Sequence, residues 1–244
     1  MSTDGQATNA PRDAANWAVN RERLEVSQDA RQYGYNVDGM RVAGPQQGFG
    51  KLWQRTFWVD LGPAVTPQAL IADWRAHFGD FWPRMGRFHG AVSGIAPGDV
   101  AALEVGLPTG TGPAMATGVL VLYADDTSFS FMTPEGHIFA AMITFSGETV
   151  PEGTRAQIRM LVRTSDPLFE LGWPFIKRGE ADFWKGTLTN LAASHGIAGA
   201  VVEEVTECLD PGRLWKNWRN LRYNSGIRSA WHIVTSPFRP RDES

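Results

Sequence analysis

Apolar and polar residues alternate through several short segments between residues 115 and 164, separated by turns such as Pro134-Glu135-Gly136 and Pro151-Glu152-Gly153. A period of two places successive side chains on opposite faces of a strand. These segments therefore predict consecutive antiparallel hairpins with one buried and one wet face. In the clearest strand the apolar face holds Ala156, Ile158, Met160 and Val162, and the polar face holds Arg155, Gln157, Arg159 and Arg163.

A helical pattern follows this block and predicts one long helix from Asp166-Pro167 to His195, kinked near Pro174. Gly172, Gly179 and Gly186 recur every seven residues and form one stripe on its apolar side. Each glycine costs a helix roughly 1 kcal/mol relative to alanine, so the stripe indicates a close approach. Two explanations stay open: tight packing of the helix on the sheet, or room left for a ligand.

Upstream of the block, residues 51–61 predict a strand, and Thr66-Pro67 predicts the start of a helix that runs to about Phe78. Residues 197–206 predict another short strand. Three parts are expected: a partly disordered N-terminal extension (1–45), the main domain (46–206) and a basic, aromatic C-terminal tail (207–244). The tail carries seven Lys/Arg against four Asp/Glu and is expected to pack on the domain or on a twin subunit, with contact to a membrane surface as the alternative.

The order of strand, helix, strand block and long helix predicts an α+β fold in which a curved antiparallel sheet wraps around the long C-terminal helix. This order resembles the START-like helix-grip superfamily of polyketide cyclases and lipid-transport proteins, over roughly residues 46–235. The segments most similar to bacterial members are Gly48–Gln54, Phe131–His137, Thr164–Leu168 and the tail from Asn217-Trp218 to Arg228. The resemblance implies a hydrophobic cavity between sheet and helix, and it brings no catalytic signature.

Composition narrows the function classes. The net charge of −3 gives no global field that would attract nucleic acid. The only cysteine, Cys208, excludes an internal disulfide framework and favours a cytoplasmic location. No apolar run reaches the length of a membrane span, and residues 1–12 lack the apolar core of a secretory signal.

The sequence contains none of the usual motifs for binding a metal or a nucleotide cofactor. The five histidines show no metal-ligand spacing, so no metal site is expected. Phosphate-binding glycine loops and a nucleophile elbow are missing as well, and no cofactor is predicted.

Candidate chemistry therefore rests on single polar residues near the predicted cavity. Arg55 shares a strand face with Trp53 and Phe57, and if that face is buried it needs an anionic or carbonyl partner, such as Glu104 or a ligand oxygen. Tyr123 offers a hydroxyl on an apolar face, and His137 sits in a hairpin turn with Glu135. The candidate catalytic residues are Arg55, Tyr123 and His137. The candidate ligand-binding residues are Phe57, Val121, Tyr123, Phe139, Ile143, Met160, Phe183 and Trp184.

Three functions are compatible with these residues. The leading hypothesis is the binding of a hydrophobic small molecule, lipid or polyketide-like, between sheet and helix. The second is a cyclase or dehydratase that acts on a polyketide-like substrate by holding a reactive conformer. The third is an interaction protein whose core is filled by its own side chains and whose tail mediates dimerisation.

Overall fold

A computed structural model describes residues 13–90, 94–106 and 115–235 of the 244-residue chain. Residues 1–12, part of the extension expected to be disordered, lie outside these ranges. The described residues contain nine strands. They are β1 (Val42–Ala43), β2 (Leu52–Gly62), β3 (Gly86–His89), β4 (Val100–Val105), β5 (Met115–Ala124), β6 (Ser128–Pro134), β7 (Phe139–Val150), β8 (Gly153–Thr164) and β9 (Glu203–Asp210).

The α-helices of the same residues are α1 (Pro67–Ala76), α2 (Pro167–Leu171), α3 (Trp173–Ser194) and α4 (Ser225–Thr235). Short 3-10 helices cover Ala14–Asn16, Gln28–Ala30, Pro45–Gln47 and Trp215–Tyr223. Both predicted helix starts are confirmed. The Thr66 side chain accepts from the backbone N–H of Ala69, and the Asp166 carboxylate accepts from those of Leu168 and Phe169.

The strands form one antiparallel sheet in the order β3-β4-β5-β6-β7-β8-β2-β9, with β1 paired to β6. The consecutive hairpins from β3 to β8 come from local turns. The first long strand, β2, then pairs with the last strand of the block, β8, so that Arg55 lies opposite Met160. The α3 helix packs on the inner face of β2 and β8. The predicted α+β helix-grip architecture is confirmed.

The two faces of the sheet carry separate apolar clusters. The inner cluster is rich in aromatic rings from the strands, α1 and α3, with Phe78 and Phe145 among its buried members. On the outer face, residues of the N-terminal segment such as Leu24 and Val37 pack against Ala102 and Leu120. Alternate residues of β4 thus contribute to different clusters, as a period of two requires.

Three predicted elements differ from the structure. The single helix expected from residue 166 is two helices, because Gly172 ends α2 and Pro174 lies in the first turn of α3, where a missing N–H costs nothing. The expected strand within residues 197–206 begins later, at Glu203, and adds to the free edge of β2. Strand β3 lies in a stretch where no strand is predicted. Its sequence Gly-Arg-Phe-His is too short for a period to appear.

The C-terminal tail is fixed to the body of the molecule by a row of polar side chains. Asn217 Nδ2 donates to the carbonyl oxygen of Gly48 at 2.7 Å, and Asn220 Nδ2 donates to that of Ser165 at 2.9 Å. Asn224 Nδ2 donates to Asp166 Oδ2 at 2.8 Å, inside the protein. Because buried amide groups must be paired, these contacts set the path of the tail over one end of the sheet.

Across the helices of the described ranges, none has both the length and the apolar content that crossing a membrane requires.

We expect Gly136→Ala to destabilise the protein by about 2 kcal/mol more than Gly39→Ala, measured by chemical denaturation. Both glycines have positive φ, +85° and +74°, so both substitutions carry the left-handed strain of roughly 1–2 kcal/mol. A Cβ on Gly136 would also overlap the backbone carbonyl of Tyr223 in the tail, whereas a Cβ on Gly39 meets nothing within 4 Å. Equal losses of unfolding free energy in the two variants would show that the tail does not pack closely against the turn at Gly136.

Candidate ligand-binding cavity

A cavity of about 330 Å³ lies between the inner face of the sheet and the α3 helix. Its wall is almost wholly apolar and comes from strands β3 to β8, the segment after α1, and α3. The main side chains from the sheet are Leu103, Val119, Phe131, Phe139, Ile143 and Met160, and those from α3 are Ile176, Phe183 and Trp184. Such a volume and lining suit a small hydrophobic molecule.

The glycine stripe serves both of the purposes left open by the sequence. Gly179 lines the cavity, so the missing side chain there adds to its volume. One step along the stripe, a Cβ on Gly186 would lie only 2.9 Å from Cγ of Pro83, so this glycine permits close packing of the segment after α1.

The cavity reaches the protein surface beside the first turn of α3. Phe175 belongs to its wall and is nevertheless 84% exposed. Leu171, at the end of α2, is 80% exposed and lies in the same stretch of chain. An apolar entrance of this kind lets a hydrophobic molecule leave water before it is fully enclosed.

The structure brings six of the sequence-predicted site residues to the cavity wall and leaves four away from it. His137, Phe139, Ile143, Met160, Phe183 and Trp184 line it. Phe57 and Val121 are buried members of the inner core and do not line it. Arg55 and Tyr123 do not line it either.

Tyr123 leaves the cavity face because of a register shift in β5. The pairing of β5 with β6 is interrupted between Val121 and Tyr123, as at a β-bulge, and a single extra residue reverses the alternation. Val121 and Ala124 therefore join the inner core, whereas the Tyr123 ring packs against Trp17 and its hydroxyl donates to Asp125 at 2.5 Å. Its predicted part in catalysis stays a prediction, and it would have to act from outside the cavity.

Arg55 is fully buried and joins β2 to two other elements. Its guanidinium donates to Glu180 of α3 and, at 2.7 Å, to Glu204 Oε1 of β9. It also donates to Thr206 Oγ1 at 3.3 Å. The expectation of an anionic partner is confirmed, but Glu104 is the wrong one, because its carboxylate bonds to His89 Nε2 at 2.8 Å. We call Arg55, Glu180, Glu204 and Lys185 the Arg55 charge cluster; the Lys185 Nζ lies 3.1 Å from Glu204 Oε2.

The two carboxylates of this cluster differ in their surroundings. Partial burial by itself would raise the pKa of Glu204. Hydrogen bonds from Arg55, Lys185 and Thr206 outweigh this effect and lower that pKa to about 2. Burial dominates at Glu180 and raises its pKa to about 7, although Arg55 and the nearby Trp184 indole oppose the shift. Glu180 Oε2 accepts from Arg55, and within the described residues Oε1 has no hydrogen-bond partner. A carboxyl group poised near neutrality on a cavity wall is a candidate functional residue.

Sequence reasoning did not find Glu180. One signal was present, since Glu180 directly follows Gly179 on the side of the helix that carries the glycine stripe. The residue looks like an ordinary charged position of an amphipathic helix, and its role depends on a strand that lies more than a hundred residues earlier.

His137 is the other polar residue on the wall. Its Nδ1 lies 3.0 Å from the backbone nitrogen and 3.1 Å from the carbonyl oxygen of Phe139, so it accepts from the first when Nε2 carries the proton and donates to the second when Nδ1 does. Burial lowers the pKa of His137 to about 4, although the hydrogen bond with Phe139 acts in the opposite direction. The ring is therefore neutral at physiological pH. In the described parts of the chain, no cluster of three or more His, Cys, Asp or Glu side chains is placed to hold a metal ion.

Several solved structures are similar to this chain over part of its length. The di-domain ARO/CYC StfQ from the steffimycin biosynthetic pathway is 11% identical with a TM-score of 0.45, covering 59% of this chain and only half, 50%, of that chain. Ms6760 from Mycobacterium smegmatis is 14% identical with a TM-score of 0.43, covering 58% and 89%. The AHSA1-like protein from Aeromonas hydrophila is 14% identical with a TM-score of 0.39, covering 60% and 96%.

No family model and no curated protein matches the chain.

We expect Arg55→Ala to lower the free energy of unfolding by about 3–5 kcal/mol, because it leaves Glu180 buried without a positive partner. Arg155→Ala is the matched control. Arg155 lies on the polar face of the neighbouring strand and pairs with Asp60 at 2.7 Å near the surface, where such pairs contribute about 1 kcal/mol or less. Urea denaturation of both variants measures the difference, and a loss at Arg55 no larger than at Arg155 would contradict the structural role of the cluster.

The raised pKa of Glu180 predicts a pH-dependent stability. Between pH 4.5 and about 7 the folded protein keeps a proton that the unfolded chain has released, so this residue costs stability as the pH rises. We expect the wild type to lose roughly 2–3 kcal/mol relative to Glu180→Gln between pH 5 and pH 8. Glu203→Gln, the same change at an exposed position of β9, is the control and should track the wild type. A pH-independent difference between the wild type and Glu180→Gln would contradict the assignment.

Proposed function

We propose that this protein binds a hydrophobic small molecule, lipid or polyketide-like, in the cavity between the sheet and α3. The observation that supports it most directly is the cavity itself, with about 330 Å³ of space inside an almost wholly apolar wall. Water gains few hydrogen bonds in such a space, and each apolar group that enters gains roughly 25 cal/mol per Å² of surface buried.

The packing around the cavity supports a space that is kept open. Aromatic rings fill the neighbouring core densely: Phe78 makes edge-to-face contacts with Phe129, Phe131 and Phe145 at 5.1 to 5.6 Å between centroids. Gly179 interrupts this filling on the helix side. An interaction protein with a filled core, the third hypothesis from the sequence, would have no use for such a gap.

A cyclase or dehydratase is the second candidate function, favoured by the two polar groups on the wall. A carboxyl group with a pKa of about 7 suits general acid–base catalysis near neutral pH. In the tautomer that carries its proton on Nε2, a neutral His137 would suit the polarisation of a carbonyl. In this proposal Arg55 acts through Glu180 as a positioning residue.

The cytoplasmic location and the homodimer also remain proposals.

The binding proposal is tested by filling the cavity from the helix. We expect Gly179→Leu to lower the affinity for 2-ethylnaphthalene at least tenfold, because the new side chain occupies the space of the ligand. Equilibrium dialysis of the full chain measures the affinity, and native mass spectrometry tests whether an apolar mass that copurifies with the wild type is lost.

Thr189→Leu provides the matched control, since it adds the same side chain to an exposed position of the same helix. It should bind the probe like the wild type. Equal affinities of the wild type and Gly179→Leu, or no binding to the wild type at all, would overturn the proposal.

A further inference from the structure

Two polar atoms on one side of α3 lack the partners that burial demands. Neither Glu180 Oε1 nor Trp184 Nε1 completes a hydrogen bond of normal geometry in the described residues, and both atoms are covered from solvent. The Trp184 indole nevertheless lies near enough to the Glu180 carboxyl to lower its pKa, so a ligand group at this place would bridge or replace that weak contact. The two residues are four apart, so their side chains are neighbours on the same face of the helix. Both residues line the cavity, and the Glu180 side chain is only 7% exposed. A buried polar atom left alone costs about 1–3 kcal/mol, which a suitable ligand group would recover.

The two atoms are complementary to one kind of chemical group. Glu180 Oε1, when ionised, only accepts hydrogen bonds, and Trp184 Nε1 only donates them. A hydroxyl group can donate to the first and accept from the second at the same time. A ketone or ether oxygen would satisfy the tryptophan alone.

The charge balance of the cluster points in the same direction. Arg55 and Lys185 together offset the charges of Glu180 and Glu204 when all four are ionised. An ammonium group would therefore add an uncompensated charge in an apolar cavity, and a carboxylate or phosphate would face Glu180 directly. A neutral donor fits this balance.

We propose that the hydrophobic ligand carries an alcohol hydroxyl, bound by Glu180 Oε1 and Trp184 Nε1 at the wall formed by α3. This inference rests on the proposed binding function and names the chemistry of its ligand. Hydrogen bonds to an ionised acceptor are about twice as strong as neutral ones, so the hydroxyl is bound best when Glu180 is ionised.

The experiment compares two probes of equal shape, 2-naphthalenemethanol and 2-ethylnaphthalene, by equilibrium dialysis with the full chain at pH 6 and pH 8. The measured quantity is the ratio of their dissociation constants, which cancels the common contribution of the ring. We expect Glu180→Gln to shift this ratio at pH 8 by about tenfold against the alcohol, and Glu203→Gln to leave it unchanged. Trp184→Phe keeps an aromatic ring but removes the N–H donor, and it should shift the ratio in the same direction.

In the wild type we expect the ratio to favour the alcohol more strongly at pH 8 than at pH 6. The charged and titratable groups around Glu180 are Arg55 of β2, Glu204 of β9, Lys185 of α3 and His137 of the β6–β7 turn. His137, with a pKa of about 4, and Glu204, with a pKa of about 2, do not change charge in this range. The pH response in Glu180→Gln should vanish.

The outcomes separate the two proposals. If the wild type binds neither probe, the binding function itself is overturned and the inference with it. If both probes bind and the ratio does not change with pH, with Glu180→Gln or with Trp184→Phe, the binding function stands and the hydroxyl site is overturned. If Glu180→Gln fails to fold, Trp184→Phe decides: a ratio shifted against the alcohol supports the hydroxyl site, and an unchanged ratio overturns it.

Discussion

The buried arginine of β2 is the interaction on which the rest of the structure depends. Arg55 is held between a glutamate of α3 and a glutamate of β9, so one guanidinium ties the long helix and the last strand to the sheet. Both carboxylates lie far from it in sequence, and a fully buried charge cannot stay unpaired. Helix α3 must therefore pass over β2 at this point, and β9 must return to its free edge, which fixes where the cavity can lie.

The position of the cavity follows from this anchor. Close to Arg55, α3 is in contact with the sheet, and its C-terminal half buries Leu188 and Leu191 completely. From the exposed Phe175 to Trp184 the same helix lines the cavity, and Gly179, next to the Arg55 partner Glu180, leaves space between helix and sheet. The same contact explains the unusual carboxyl group, because Arg55 engages one oxygen of Glu180 and leaves the other to the cavity. Glu180 thus has two roles: one carboxylate oxygen holds Arg55, and the other belongs to the candidate polar site.

Local patterns in the sequence predict most of the elements, since strand alternation and helix caps depend on neighbouring residues. The faces of β2 and β8 follow from their period of two, and Thr66 and Asp166 mark helix starts as expected. The misplaced Tyr123 shows the limit of this reasoning, because the register shift beside it depends on the pairing with β6 and leaves no mark in the alternation. The same limit explains why the sequence suggested Glu104 as the partner of Arg55 and did not indicate Glu180. The partner of a buried charge is determined by the tertiary fold, and no local periodicity in the sequence predicts it.

The segments that carry the sequence resemblance have a structural explanation that separates them from the cavity. Gly48 receives a hydrogen bond from Asn217, the carbonyl of Gly136 accepts from the backbone N–H of Ser225, and Asp166 accepts from Asn224. Four stretches that are distant in sequence therefore meet where the tail crosses one end of the sheet. Their residue types are set by close backbone approach and by the pairing of buried amides, which tolerate little substitution. The cavity wall needs only apolar side chains of suitable size, which many residues provide. The most recognisable motifs of this chain thus mark how its tail is fastened, and the ligand chemistry rests on the inconspicuous Glu180 and Trp184.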